Sequence, residues 1–390
     1  MGPLATQILG DLGAEVITVE TPGLSLNRAM TPGPHPGMSG LALNLLRNKH
    51  SIIIDLSVDD GRRLAMRIAA TCDVFISNLR PSSLDRLGLD FSSLVEQRPD
   101  IVYCQAQGFP SESSYADDPA YDDVIQAAAG IADLGERVDG RPALVPTILA
   151  DKVSGMVIAQ MVLAGLLRRE RTGEGAQIEV PMSEVVTSFV LVEHAAAATA
   201  IPAQGPPGYA RILTPHRRPA ATKDGWVHVL PYNRRNYLDL FEAGGRFDMF
   251  EDPRIGSVQN RLQYSDALYA EVAKILLGRT TKDWLKFCRD HEIPASPVRT
   301  LDELINEQPL AEHPRTGPYR ATRPFGRLIG SESTTVRHHA PMQGEDTRTI
   351  LTNVGLASAE IDRLIEEKTV RTEPQERVRR RKPDLEQNPL

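Results

Sequence analysis

Asp151 stands immediately before a run in which apolar residues recur at helical spacing, and its setting points to chemistry more directly than any other in the chain. Val153, Val157, Met161 and Ala164 make one stripe, widened by Met156, Leu163 and Leu167. Arg168, Arg169 and Arg171 close the run and Gly173 stops it, so a helix over 151–171 is expected. A carboxylate at a helix start has one ordinary use, accepting a backbone N–H as an N-cap. The same place also favours the ionised carboxylate, because the first turn presents unpaired N–H groups and the positive end of the dipole. On the residues alone the cap is the favoured reading, and the two roles are compatible.

The other reactive side chains form no recognisable machinery. Cys72, Cys104 and Cys288 are scattered singly, with no CxxC and no metal-ligand spacing. Cys72 and Cys104 lie in or beside apolar segments and read as buried. No HExxH pair occurs, and the adjacent His338 and His339 would not share a helix face, so no metal site is expected. No GxGxxG, no GxxxxGK[ST] and no GxSxG occurs, which removes the usual grounds for a dinucleotide, an ATP or a serine-hydrolase reading.

The elements that must position Asp151 alternate between helix and strand. Leu4, Ile8, Leu9 and Leu12 share a helical face that Gly13 ends. Short β-rich runs follow at 15–20 (EVITVE), 51–56 (SIIIDL), 73–78 (DVFISN) and 101–105 (IVYCQ), with a helix expected over 59–71. Apolar runs separated by helices imply a parallel sheet covered on both faces. Such a sheet ordinarily opens on a strand, so a further strand is expected before Gly2. Beyond the Asp151 helix, 175–182 (GAQIEVPM) reads as a strand and 183–200 as an Ala-rich helix. Five prolines within 201–221 suggest an extended connection, followed by a strand at 225–231 and a smaller α/β unit. Helices are expected near 345–354 and 357–367.

At 390 residues the chain is long enough for two structural units. Its net charge of -7, from 44 basic and 51 acidic residues, disfavours nucleic acid as a partner. The basic cluster Arg377, Arg379, Arg380, Arg381 and Lys382 reads as a solvated tail. No apolar run is read as long enough to cross a bilayer and no signal peptide opens the chain, so no membrane association and a cytoplasmic location are expected.

Several longer strings carry more. They are GPLATQILGDLGAEVITVE (2–20), RNKHSIIID (47–55), NLRPSSLDRLGLD (78–90), AYDDVIQAAAG (120–130), ADKVSG around Asp151, RTGEG (171–175) and APMQGEDT (340–347). Together and in order, they resemble the class III (CaiB/BaiF-type) coenzyme A-transferases, the family of the formyl-CoA and crotonobetainyl-CoA transferases. The resemblance implies an α/β fold: a Rossmann-like large domain with a parallel sheet built from both chain ends, a smaller inserted α/β domain, and an interlocked homodimer. On that pattern 1–204 is the first part of the large CoA-binding domain, 205–310 the small domain, and 311–390 the returning segment with its polar tail.

The family's nucleophile matches Asp151. The resemblance implies that this carboxylate attacks an acyl-CoA thioester, forms a mixed anhydride, then an enzyme–CoA thioester, and passes CoA to a carboxylic acid acceptor. Coenzyme A is thus expected as part of the substrate, with no metal. Arg28, Lys49, Arg80 and Arg86 match basic positions in the family's CoA-contacting segments, and Asn78 and Leu79 begin one of them. Each of these cations also reads as an ordinary surface charge, but several follow expected strands, where ligands of open α/β sheets bind. Tyr121 matches a position close to the acyl group and otherwise reads as a half-buried core tyrosine. An α-methylacyl-CoA racemase shares the fold but carries a His where Tyr121 stands, and a phenol is a poor base near neutral pH. A non-catalytic, shortened CoA-binding relative is the other alternative. The glycine run of formyl-CoA transferase is absent, which disfavours oxalate or formate as the acid.

Overall fold

The structure, a computed structural model, describes residues 1–327, 329–330 and 336–373. The basic cluster Arg377, Arg379, Arg380, Arg381 and Lys382 lies outside the described residues. Two compact units are present: one of Met1, Ala106–Ile158 and Glu179–Gln308, the other of Gly2–Gln105, Ala159–Ile178 and the chain from Pro309.

The second unit is built on the apolar runs. Ile17–Glu20 pairs in parallel with His50–Ile54, with Ile17 opposite His50 and Glu20 opposite Ile53. Val74–Ser77 pairs in parallel with Val102–Gln107, and Ala176–Pro181 flanks the latter. Parallel neighbours need a crossover, and helices Pro81–Leu87 and Phe91–Gln97 lie on the one between Val74–Ser77 and Val102–Gln107, while helix Asp59–Thr71 leads from one sheet to the other. That helix buries Leu64, Ala65, Ile68 and Ala69 in one cluster with Ile52, Ile54, Ile101 and Tyr103. The same cluster takes in Ile350 and Leu351 of helix Thr347–Asn353, Ile361 and Leu364 of helix Ser358–Glu366, and Val370. The single sheet expected from the sequence is here two three-stranded sheets. One of them contains a strand the sequence reading missed, Val370–Arg371, antiparallel to His50–Ile54. Two residues are too few to show a period.

Hydrogen bonds staple the returning segment before Thr347 to this unit. Gln343 Nε2 donates to the carbonyls of Thr21 and Gly23, Gly344 N to Ser51 Oγ, and Ser51 N to Asp346 Oδ2. His339 Nε2 meets Glu345 Oε1 at 2.8 Å, and Met342 N donates to Glu345 Oε2. The Glu345 carboxylate holds the His339 imidazole above its usual pKa. Burial pushes Glu345 up, but the bonds from His339 and Met342 outweigh it and leave its pKa lowered. A raised His pKa contributes stability below the unfolded value, about 6.5, that is lost as pH rises through the folded value. The lowered Glu345 contribution is lost on the acid side. The stability gap between the native chain and His339→Gln is therefore expected to be widest near pH 6 and to shrink by about pH 9. Urea denaturation across that range checks it, and a constant gap would mean that the pair makes no ionic contribution.

The first unit contains helices Asp122–Ala128, Ile131–Asp139 and Met182–His194, which share a core of Ile125, Ala129, Ile131, Met182, Val186 and Val190. It also contains an antiparallel sheet, Ala220–Ala221, Trp226–Val229 and Ala295–Pro297. Around this sheet Leu240, Phe241, Leu268, Val272 and Trp284 form a separate core, with Trp284 Nε1 donating to the Leu276 carbonyl at 2.7 Å.

Helix Ala150–Thr172 forms where the periodicity predicts it but buries a different face. Ser154, Ile158, Ala159 and Val162 are buried, whereas Met161, Leu163 and Leu167 are exposed. Close approach explains this: a Cβ on Gly165 would lie 2.8 Å from Val102 Cγ1 and 3.1 Å from Ile178 Cδ1. Small residues let the backbone lie against the strands, so the bulkier side chains point away. At 23 residues this helix is long and apolar enough, by length and composition, to cross a bilayer. That is an exception to the sequence reading; a buried core helix passes the same test.

Candidate active site

Asp151 occupies the second position of helix Ala150–Thr172, so it is not the cap that the residues alone favoured. Among the described residues, no backbone N–H of its own helix donates to its carboxylate. Its own N–H, one of those a helix start leaves unpaired, donates to Asp122 Oδ1 at 2.9 Å. Its Oδ2 lies 3.4 Å from the Met1 nitrogen, and the side chain is 37% exposed. The carboxylate thus stands partly open at a helix start, with a nitrogen donor beside it.

Asp122 opens helix Asp122–Ala128 and is buried. Its Oδ2 accepts from Gln126 Nε2 at 2.6 Å, one helical turn on. Gln126 in turn accepts the Val145 N–H at its Oε1 and donates to the Thr147 carbonyl. The chain between Val145 and Asp151 is therefore tied to helix Asp122–Ala128 at both ends. Sequence reasoning quoted this string but drew no role for Asp122 or Gln126; the signal available was a carboxylate and an amide four residues apart. Tyr121 precedes Asp122, and its side chain is 70% exposed rather than half-buried in a core.

The residues expected to meet the nucleotide of coenzyme A divide into two sets. Asn78, Leu79, Arg80 and Arg86 lie on the loop after strand Val74–Ser77 and on helix Pro81–Leu87, and all four are exposed. Gln105 Nε2 fixes the loop by donating to the Leu79 carbonyl at 2.7 Å. Arg86 donates to Ser82 O and Ser83 Oγ. Arg28 and Lys49 face inward instead, a correction to the reading of both as exposed cations. Arg28 donates to both oxygens of the buried Glu20, at 2.8 and 2.6 Å, so its charge is neutralised inside the unit. Lys49 Nζ donates to Pro3 O and Thr6 Oγ1, both at 2.8 Å, and burial brings its pKa down to about 7.

Burial raises the pKa of Cys72, Cys104 and Cys288 alike. Burial pushes Cys104 up to about 12 and Cys288 up to about 11, leaving neither ionised near neutral pH. Among the described residues, no three His, Cys, Asp or Glu side chains gather to hold a metal ion.

Strands in parallel register, joined through helices, describe an α/β protein. The chain belongs to CoA-transferase family III, whose family model matches residues 1–347. It is 30% identical to a probable fatty acyl-CoA transferase of Mycobacterium tuberculosis, over 81% of this chain and 83% of that one. It is also 30% identical to an acetyl-CoA:oxalate CoA-transferase of Acetobacter aceti, over 78% of this chain and 79% of the other. A crystal structure of the same mycobacterial protein superposes with a TM-score of 0.74 at 28% identity, covering 90% of this chain and 94% of that one. As a member of that family the chain is a CoA-transferase acting on CoA thioesters.

Proposed function

We propose that the chain moves CoA from an acyl-CoA donor to a carboxylic acid by way of Asp151. The observation that carries the reading is the Asp151 carboxylate, partly open at a helix start and not consumed as a cap. It attacks the thioester carbonyl, CoA leaves as thiolate, and a mixed anhydride forms. The thiolate then attacks the aspartyl carbonyl, releasing the donor acid and leaving an aspartyl–CoA thioester. The acceptor carboxylate displaces the thiolate and forms a second anhydride. Thiolate attack on the acceptor carbonyl gives the new acyl-CoA and restores Asp151. Each addition places negative charge on an oxygen, and donors aimed at that oxygen lower the barrier. Asn78, Leu79, Arg80 and Arg86 bear on the CoA nucleotide through their exposed charges and edges, and Tyr121 lies toward the acyl group. Arg28, bound to Glu20, and Lys49, bound to Pro3 and Thr6, hold the chain around strands Ile17–Glu20 and His50–Ile54.

The partner chain is a second copy. The exposed Met161, Leu163 and Leu167 of one helix, with Phe189, Leu191 and Val192 of another, give each protomer apolar area for an obligate interface. The test of the whole reading is a matrix of acyl-CoA donors against mono- and dicarboxylic acids, read as new acyl-CoA masses. Fatty acyl-CoA and acetyl-CoA head the donors because they appear in the relatives' names, and oxalate is included as the acid that the absent glycine run disfavours. Light scattering should give twice the 42.9 kDa chain mass. Thioester hydrolysis without transfer, or a monomer at micromolar concentration, would count against it.

A further inference from the structure

Asp122 is buried, and its two oxygens meet two separate donors. Oδ1 takes the Asp151 N–H and Oδ2 takes the Gln126 amide. A buried carboxylate is costly unless its oxygens are satisfied, so this site selects a group with two acceptors. Gln126 uses its other end on Val145 N, at 2.9 Å, and its Nε2 also reaches Thr147 O, at 3.2 Å. One short relay thus fixes the backbone at 145, 147 and 151.

We infer that Asp122 is the positioning residue of the nucleophile: with Gln126 it caps the turn that carries Asp151 from another segment and sets where the carboxylate stands. The inference rests on the reading of Asp151 as nucleophile. The arrangement leaves the Asp151 side chain out of the capping bond, because the cap comes from elsewhere. The nucleophile's oxygens are then available for attack, while its Cα is held by a bond to its own N–H. Helix Asp122–Ala128 also carries Tyr121 at its N-cap, so a single element holds the turn of Asp151 and the residue placed toward the acyl group.

The chemistry of the two donors supplies the test. In Asp122→Asn one acceptor becomes an NH2 donor, which must face either the Asp151 N–H or the Gln126 amide. Adding Gln126→Glu in the same chain restores the bonds at 151 and 145, though it gives up the donor to the Thr147 carbonyl. The introduced amide then accepts from the Asp151 N–H and donates to the introduced carboxylate, which still accepts from Val145. Misplacement of a reacting group by about 1 Å can cost about 100-fold in rate. The expected result is a fall in kcat of about that size for Asp122→Asn, with CoA affinity within about twofold of native, and a recovery of at least about tenfold in the double variant. Rates are expressed per competent site, counted by trapping the acyl-enzyme after a saturating dose of acyl-CoA. This separates positioning from a loss of folded protein, which would lower the site count and leave the rate per site unchanged. Asp122→Asn turning over like the native enzyme while Asp151→Ala is inactive would overturn the inference and spare the mechanism. Full activity in Asp151→Ala would remove the mechanism itself.

Discussion

Replacing Asp151 with alanine is expected to lower acyl transfer by at least about 1,000-fold, as loss of a covalent nucleophile does in enzymes whose parts act as a unit. CoA affinity should stay close to native. The exposed Asn78, Leu79, Arg80 and Arg86 lie on a different stretch of chain, and a nucleotide held there does not need the carboxylate. A carboxylate is a modest nucleophile, so most of the acceleration must come from holding it against the thioester. Remote binding energy from the nucleotide supplies that hold. Incubation with an active acyl-CoA, followed by hydroxylamine or borohydride, should label the peptide that contains Asp151, and the label should vanish in the variant. Asp151→Asn is a poorer choice, since slow deamidation would restore the carboxylate. Transfer near the native rate by Asp151→Ala would return the residue to a structural role.

The largest effect on stability is expected at Glu20, away from any reacting atom. Its carboxylate accepts two bonds from the buried Arg28 and one from Ser51 Oγ, at 2.6 Å. Glu20→Ala leaves a guanidinium in the interior with no counter-charge, an event that costs about 3–5 kcal/mol. Ser51 Oγ also receives the Gly344 N–H, so the loss reaches the returning segment. Urea denaturation should show a midpoint far below native, or no folded baseline at all. Removing both charges with Glu20→Leu and Arg28→Met should recover much of the loss, because the main cost is the orphaned charge. If the single and double variants melted alike, the pair would be contributing packing rather than charge balance.

These residues also mark how far the sequence can be read. Residues 51–56 announce a strand because Ile52, Ile53 and Ile54 are apolar without a break and buried on both faces, and the helix over Asp59–Thr71 is legible from its period. Family strings single out Asp151. The buried face of helix Ala150–Thr172 is not legible, because Ser154, Gly155, Ala159 and Gly165 carry little hydropathy and their role is to permit approach. Arg28 resembles a phosphate-binding cation because nothing in the sequence joins it to Glu20, eight residues earlier and on another element. The bond from Asp151 to Asp122 spans a separation at which local pattern carries no information. Periodicity reports which face avoids water; it does not report which polar group has found a partner.

The strand Val370–Arg371 joins the sheet opposite Ile53 and Ile54, and Leu351, Ile361 and Leu364 fill the core beneath it. During synthesis the early strands leave the ribosome with one edge and much of one face uncovered, and they stay so until almost the whole described chain has emerged. This unit therefore cannot close until the residues near 370 have emerged. Long-range pairing of this kind folds slowly and exposes strand edges in the interval. A chain stopped before residue 347 would hold Asp151, Asp122 and the exposed loop after Val74–Ser77, yet lack the strand and helices that complete the other sheet and the shared core.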